Sequence, residues 1–475
     1  MTLSHILVFS ALAVGFRLLA KERWRNLVLL AASALAVYWL QPATPIRNLD
    51  FWLPTATLAL VGLSWVVTTP VEARRQRSNL IAARVLIGVV ALVGLTRYVS
   101  LTGLITATRP PQFWQIVIAL GSLTLFGVAV GRFTRPTKPL LRGFICLLIG
   151  FFLVLKIPAL ATATSAMLRV LAGQSPELAA ASDLRWLGFS YVSFRLIHTL
   201  HDRQSERLPV VTLAEYATYV IFFPVFTAGP IDRLERFIKD LRQPLPPAVE
   251  DLTQGGRRLA VGLFKKFVLA DALALMSLNP LNATQVTTAG WAWVLLYGYS
   301  LQIYLDFSGY TDIAIGLGRL LGIKLPENFN HPYLKPNLTQ FWSNWHMTLT
   351  QWFRAHFFNP LTRSLRKAQR PLSPTVIILL TQVSTMVLIG LWHGVTFNFV
   401  LWGAWHGLGL FVQNRWSEWA HSYFSGYLEQ RPALKNLVSG LGTVLTFQYV
   451  ALGWVWFAMP TLDLSLQVFR RLFGA

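Results

Sequence analysis

The chain of 475 residues has few charged residues and a single cysteine. Asp, Glu, Lys and Arg together make up 13% of it, whereas a soluble protein carries about a quarter. This shortage excludes an ordinary soluble globular protein. Hydrophobic residues make up 54% of the chain and fall in long runs that fit bilayer-spanning helices of about 20 residues. The sequence therefore predicts an all-α, polytopic integral membrane protein.

Several patterns that mark other kinds of site are missing. One cysteine, Cys146, permits neither a disulfide framework nor a Cys-based metal site. The patterns HxxE and HExxH are missing too, which argues against a bound metal. Without G-x-S-x-G or a Walker A sequence, a serine hydrolase and a P-loop motor are also disfavoured. We expect no bound metal and no bound cofactor.

The formal net charge is +22, which in a soluble protein suggests nucleic acid. Here the basic residues sit in short runs between apolar segments, so orientation in the membrane and contact with anionic headgroups explain them better. Alternate N-terminal loops are basic, which predicts an external N-terminus and cytoplasmic basic loops. The basic loops contain Lys21, Arg23 and Arg25; Arg74, Arg75 and Arg77; and Arg132, Arg135, Lys138 and Arg142. The expected partner is the lipid bilayer, not nucleic acid.

The apolar segments predict one membrane domain over residues 1–475, with about eleven to thirteen helices plus partial ones. Segment 211–229 is expected to break at Pro224 and at Gly229-Pro230 and to turn back, since a full crossing would place basic residues outside. Residues 324–339 are predicted to be loop, and 340–358 an interfacial or re-entrant helix. The expected apolar helices are 3–20, 26–41, 50–69, 79–97, 113–131, 143–158 (continuing to about 172), 185–200, 256–278, 301–323, 374–392, 396–415 and 436–458.

Polar residues are concentrated between 301 and 406, and two histidines there each follow a tryptophan. His393 is a candidate general base, because an imidazole can accept a proton at neutral pH without a permanent buried charge. The structural alternative is a histidine that holds a kink at Gly394. His346 could orient a substrate, stabilise an oxyanion or relay a proton, or it could be a residue wetted by headgroups. His406 is expected to be mostly structural.

Two acidic residues, Asp306 and Asp312, lie in an apolar segment. Acidic side chains in a span often mark ion or proton routes, but hydrogen-bonded helix packing explains these two equally well. Four basic residues could attract an anionic substrate or could serve orientation in the membrane. They are Lys265, Lys266, Arg363 and Arg366.

At these residues the chain resembles the membrane-bound O-acyltransferase (MBOAT) family. The blocks that carry the resemblance are QIYLDFSGYTDIAIGLGRLLGIKLPENFNHPYL, FWSNWHMTLTQWFR and LIGLWHGVTFNFVLWGAWHGLGL, with WLGFSYVSFRLIHTL and FFPVFTAGPIDRLERF before them. The branch resembles the alginate O-acetylation protein and the teichoic-acid D-alanyl transferase. The resemblance covers residues 185–475, whereas residues 1–180 match only in hydropathy and are expected to be peripheral N-terminal helices.

The resemblance implies a multi-pass acyltransferase of the cell (cytoplasmic) membrane, with helices around a central tunnel. A cytoplasmic thioester donor, acetyl-CoA or an acyl-carrier protein, would meet an acceptor from the far side. The acceptor would be a cell-surface polysaccharide or a partner acyltransferase outside the cytoplasm. His393 would be the catalytic base, and His346 would position the substrate or stabilise the oxyanion.

The transferred group and the class of protein have alternatives. Residues 301–335 resemble acetyl transferases of the alginate type, while GPIDR at 229–233 resembles the D-alanyl branch; acetylation is the leading prediction. A proton-coupled transporter or flippase is the alternative from another class. Such proteins often carry repeated halves, and we find no internal symmetry. A catalytically silent scaffold is the third possibility.

Overall fold

A computed structural model describes residues 2–19, 22–99, 103, 105–245, 248–370 and 372–474. These residues form helices and no strand, which confirms the all-α prediction. Six of their helices are long and apolar enough to cross a membrane, and three shorter helices are also apolar. The prediction of a polytopic membrane protein is confirmed, and by length and composition six helices of the described part are candidate spans.

The chain forms two compact units. The first contains Met1–Leu259 and Ile313–Leu325, and the second contains Ala260–Asp312 and Pro326–Ala475. The helices that begin in the first unit are α1 (Leu3–Leu19), α2 (Arg25–Leu40), α3 (Leu49–Thr68), α4 (Val71–Arg74), α5 (Arg77–Leu95), α6 (Phe113–Phe133), α7 (Lys138–Lys156), α8 (Pro158–Leu171), α9 (Phe189–Gln204), α10 (Leu213–Ile221), α11 (Leu234–Arg242) and α12 (Ala248–Phe264).

Buried polar side chains tie the helices of the first unit together. The Tyr216 hydroxyl on α10 lies 2.7 Å from Ser64 Oγ on α3 and 2.7 Å from Thr199 Oγ1 on α9. Arg25, at the start of α2, donates to the backbone oxygens of Gln243 at 2.8 Å and Leu321 at 3.2 Å. Basic residues predicted to orient the chain therefore also serve as internal braces, since a buried guanidinium needs acceptors.

Prolines mark the helix breaks. The expected segment 143–172 is two helices, because Pro158 begins α8 directly after α7 ends. Segment 211–229 breaks at Pro224 as predicted, since α10 ends at Ile221 and a short 3₁₀ helix covers Phe223–Val225. Arg195 holds the break by donating to the carbonyl oxygens of Val220 at 2.8 Å and Val225 at 2.6 Å.

The second unit contains the residues that the sequence singled out. Its regular elements are a π-helix (Lys265–Ala270), α13 (Asp271–Ala274), α14 (Pro280–Gln285), α15 (Ala289–Leu320), α16 (Leu338–Asn344), α17 (Met347–Phe353), a second π-helix (Arg354–Phe358), α18 (Asn359–Arg366), α19 (Pro374–His393), α20 (Phe397–Glu429), α21 (Pro432–Ala458) and α22 (Leu462–Leu472). Residues 340–358 contain the end of α16, the corner at His346, and a helix that begins with α17 and continues without a break through the second π-helix into α18. The expected loop 324–339 contains a 3₁₀ turn at Pro332–Leu334.

The acidic pair of α15 forms ion pairs with the first π-helix. Lys265 Nζ lies 2.7 Å from Asp312 Oδ2, and Lys266 Nζ contacts Asp306 Oδ1. This geometry supports the helix-packing interpretation of the two aspartates. It also shows that Lys265 and Lys266, which the sequence offered for attracting an anionic substrate or for orientation in the membrane, each have a carboxylate partner.

Candidate active site

Close packing between α19 and α20 determines the position of His393, the last residue of α19. A Cβ added at Gly403 of α20 would lie 2.5 Å from the Cα of Val387, and one added at Gly407 would lie 2.6 Å from the Cα of Val383. Only glycine permits the two backbones to approach this closely, as small residues do at membrane helix interfaces. The two helices thus form a rigid pair joined by a three-residue connection at the end of α19.

His393 is the last residue of α19. The following residue, Gly394, is extended, so the helix ends here and does not continue through a kink. The half-buried imidazole lies among aromatic rings, with centroid separations of 4.5 Å to Trp392, 4.9 Å to Phe457 and 5.8 Å to Trp402. These rings hold the imidazole in an apolar cage at a helix end.

His346 occupies the corner between α16 and α17. Its backbone has φ 44° and ψ 52°, the left-handed region that few non-glycine residues adopt. The side chain is 3% exposed, and its Nδ1 lies 3.2 Å from the Oδ1 of Asn328. The Asn328 backbone oxygen also accepts from the N–H of Met347 at 2.9 Å. The loop before α16 therefore fixes this strained corner.

The contacts of Asn328 determine which nitrogen of His346 carries the proton. Asn328 Oδ1 accepts from the Thr348 backbone N–H at 3.2 Å and from the Thr348 hydroxyl at 2.9 Å. The atom that faces these donors must be the oxygen, because an amide NH₂ cannot accept a hydrogen bond. His346 Nδ1 is then the donor, and in the neutral ring Nε2 carries the lone pair.

The lone-pair nitrogen of His346 has no partner. Nε2 is buried and lacks a hydrogen bond within the described part of the chain. His346 lies outside the spanning helices, and burial lowers its pKa to about 3, with a further lowering from the charge of His393. Its ring packs 4.7 Å from Phe307 and 6.4 Å from Trp392, the neighbour of His393. The structure thus brings the two predicted histidines into one aromatic region of the second unit.

Two further residues enter this region that the sequence did not single out. Asn328 lies in the Pro/Asn loop, and its role depends on the loop's fold. Trp402 is 1% exposed, and its indole N–H has no hydrogen-bond partner among the described residues. Its position between His393 and His406, 5.1 Å from the latter ring, follows from the α19–α20 packing.

His406 lies among tryptophan rings of the same region. His406 is fully buried, with ring contacts to Trp342 at 5.0 Å and Trp454 at 6.2 Å, and Trp402 lies next to both it and His393. That placement agrees with the structural role expected for it. Within the described ranges, no group of three or more His, Cys, Asp or Glu side chains could hold a metal ion.

The fold and this region define a class: a multi-pass helical membrane protein in which a buried histidine, His346, and a half-buried one, His393, lie next to helix ends. The sequence profile of the membrane-bound O-acyltransferase family, MBOAT, matches residues 144–455. The chain belongs to that family, which confirms the predicted resemblance.

Named relatives agree with this membership. The chain is 31% identical over 289 residues to the probable alginate O-acetylase of Pseudomonas aeruginosa, covering 61% of this chain and 51% of the relative. It is also 31% identical to the teichoic acid D-alanyltransferase of Streptococcus thermophilus, over 58% of this chain and 69% of that protein. A peptidoglycan O-acetyltransferase of Helicobacter pylori is 30% identical, over 58% and 51%. The match thus spans about half of the two O-acetylating relatives. The family and these names support the prediction of an acyltransferase.

Proposed function

We propose that this protein transfers an acyl group, acetyl in the leading case, from a cytoplasmic thioester to hydroxyls of a cell-surface glycan or of a relay protein outside the cytoplasm. The observation that carries the proposal is the His346–Asn328 contact next to the Trp392–His393 pair. It leaves a buried lone pair at Nε2, in a region where His393 supplies a second imidazole. Family membership supplies the reaction class.

His393 acts as the base in this proposal. The acceptor hydroxyl attacks the thioester carbonyl carbon, a C–O bond forms, and the hydroxyl proton passes to His393. The tetrahedral intermediate then collapses, the C–S bond breaks, and the His393 imidazolium returns the proton to the leaving thiolate. The products are an ester and a thiol, and no covalent acyl-enzyme is needed.

His346 acts as a hydrogen-bond acceptor. A neutral Nε2 without a proton cannot donate to an oxyanion, so one of the sequence-based roles for His346 loses support. Its lowered pKa also disfavours holding the proton itself. We assign it instead to orient His393 in the substrate-bound state, where the Nε2 that has no partner among the described residues would accept from that ring, with Asn328 fixing His346 in turn. In such an arrangement, a hydrogen bond from a further residue holds the catalytic base in its orientation.

Trp402 supplies the oxyanion donor in this scheme. Its buried indole N–H has no acceptor among the described residues, and its ring lies 5.8 Å from His393. A donor without a partner costs free energy in the resting protein. It gains an acceptor when negative charge develops on the carbonyl oxygen, which is the condition for transition-state stabilisation.

Acetylation of a glycan remains the leading substrate choice, and D-alanyl transfer is the alternative. The GPIDR sequence had favoured the D-alanyl branch. Its aspartate, Asp232, is 6% exposed and forms a bidentate pair with Arg236 at 2.7 and 2.6 Å. The carboxylate is therefore paired with Arg236 of α11. The motif thus has a local structural role, which weakens it as an indication of the substrate.

The proposed donor side is cytoplasmic and the proposed location is the inner membrane. With Lys265 and Lys266 engaged by aspartates, Arg363 and Arg366 of α18 are the exposed candidates for attracting an anionic thioester. A proton-coupled transporter loses support, because Asp306 and Asp312 lie in ion pairs with those lysines.

Labelled substrates test the proposed function. Purified protein in membranes would receive labelled acetyl-CoA or D-alanyl carrier protein, together with an acidic polysaccharide or a teichoic acid. The proposal predicts ester-linked label on the polysaccharide with the acetyl donor. Transfer only from the D-alanyl carrier would establish the alternative, and no transfer from either donor alongside proton-driven uptake would contradict the acyltransferase assignment.

A further inference from the structure

An apolar crevice lies in the first unit between α3, α5 and α6. It has a volume of about 590 Å³, and its apolar lining includes Leu58 of α3, Ile87 and Val90 of α5, and Leu123 of α6. All three helices are candidate membrane spans. Only 6% of the apolar stretch of α6 is buried, so α6 presents its side chains outwards. The crevice therefore lies where lipid chains would surround the protein.

Three arginines lie together at one end of this crevice. Arg74, Arg75 and Arg132 all line it, at the end where α3 and α6 finish and α5 begins. Arg75 and Arg132 are exposed. The described residues that line the crevice include no carboxylate, and the three arginines outnumber Glu72, which lies near Arg74, so this end has an excess of positive charge next to an apolar slot.

Arg74 adds an unmet hydrogen-bond donor. Its side chain is 9% exposed and is held by the backbone oxygens of Gly131 at 2.7 Å, Thr69 at 3.0 Å and Thr134 at 3.1 Å. The remaining terminal nitrogen, Nη2, is buried without a partner among the described residues. A buried guanidinium nitrogen without an acceptor is costly, so an anionic oxygen at this end would be stabilised.

We propose that the crevice binds an anionic phospholipid, with its acyl chains along α3, α5 and α6 and its phosphate among Arg74, Arg75 and Arg132. The apolar lining of the crevice favours a lipid over a free anion, because inorganic phosphate would leave the apolar part of the crevice unfilled. The arginines select an anionic headgroup over a zwitterionic one. The site is separate from the histidine region, and its role would be to anchor the first unit in a leaflet that contains anionic lipid.

Native mass spectrometry of the purified full-length protein tests this site. The protein would be stripped of lipid in detergent and titrated with phosphatidylglycerol, phosphatidylcholine or inorganic phosphate. We expect one tightly held phosphatidylglycerol, with phosphatidylcholine held at least about tenfold more weakly, because its choline cation adds a positive charge next to the three arginines and leaves the headgroup without net negative charge. Equal binding of both lipids, or retention of phosphate without lipid, would overturn the proposal.

Matched variants locate the site. Replacing Arg74, Arg75 and Arg132 with Gln should weaken phosphatidylglycerol binding at least about tenfold. The triple variant Arg135→Gln, Lys138→Gln and Arg142→Gln removes the same charge from exposed residues outside the crevice and should bind like the wild type. Equal loss in both triples would show a general charge effect and contradict the site.

A second variant tests the acyl-chain slot without changing charge. A Cβ added at Gly127 meets nothing within 4 Å, so Gly127→Leu can fill the crevice with little strain. We expect it to weaken binding of phosphatidylglycerol while the thermal stability is kept. Unchanged binding in this stable variant would show that the lipid lies elsewhere.

Discussion

The side-chain oxygen of Asn328 lies 3.2 Å from Nδ1 of His346 and accepts two further hydrogen bonds from Thr348. This contact orients the imidazole so that Nε2, which carries no proton, points away from the loop. Asn328, which lies 18 residues earlier in the chain, therefore determines which nitrogen of His346 carries the proton. The chemistry proposed for the second unit depends on this tautomer of His346.

Asn328→Leu should lower the transfer rate constant by about a hundredfold, because the imidazole loses the acceptor that selects its tautomer. The Michaelis constant should change much less, since Asn328 is not expected to contact substrate. Asn330→Ala is the matched control: Asn330 is exposed in the same loop, and its backbone N–H donates to the Asn344 backbone oxygen at 3.1 Å, a bond that alanine keeps. Steady-state kinetics on both variants would check this, and equal rates in the two variants would contradict the positioning role.

Trp402→Phe removes the indole N–H and keeps an aromatic ring. We expect the rate constant to fall by about a hundredfold, as for loss of one oxyanion donor, with a smaller change in the Michaelis constant. Trp342→Phe provides the control, because its buried N–H also lacks a partner in the described residues but its ring lies beside His406. Equal kinetic losses in the two variants would assign the effect to packing.

Gly403→Ala should destabilise the α19–α20 pair by about 1–3 kcal/mol, because its Cβ would be pressed against the α19 backbone at Val387. Gly440→Ala, where a Cβ meets nothing within 4 Å, should be neutral or slightly stabilising. Thermal unfolding in detergent measures both. If Gly403→Ala is as stable as the wild type, the two helices do not depend on this close approach.

Acid should destabilise the protein partly through His346. Its pKa in the folded chain is about 3, below the ordinary 6.5, so the unfolded chain binds the proton more readily between those values. Stability from this residue is present above pH 6.5 and is lost as the pH falls towards 3, by up to about 1.4 kcal/mol per pH unit. His346→Gln should therefore show a shallower loss of melting temperature with falling pH. Parallel curves for the variant and the wild type would contradict a buried neutral imidazole.

The helices were largely predictable because their apolar runs and their prolines are local signals. The sequence predicted 374–392, and the helix is Pro374–His393. It predicted 396–415, whereas α20 continues to Glu429. The apolar run ends near Gln413, but Arg415 and Glu418 pair at 2.6 Å across one turn of the helix, which favours its continuation. The Trp-His pairs were also visible as residues that packing alone does not explain.

The hydrogen bonds around the histidines were not predictable in the same way. Asn328 meets His346 only because the loop folds back on the α16–α17 corner, which no local pattern encodes. The partners of Lys265 and Lys266 were missed for a similar reason: they lie on α15, 47 and 40 positions further along the chain. The sequence singled out the histidines that are proposed to react, and tertiary structure is needed for the partners that set their protonation.

The most direct measurement is acyl transfer by His393→Ala, with membranes, a labelled acyl thioester and a polysaccharide acceptor. The control is His331→Asn, an exposed histidine with a left-handed backbone that asparagine tolerates. Expression and elution volume should match the wild type for both variants. The account predicts that His393→Ala loses transfer by a factor of at least about a thousand, while His331→Asn keeps it. Transfer at the wild-type rate by folded His393→Ala would contradict the assignment of the base.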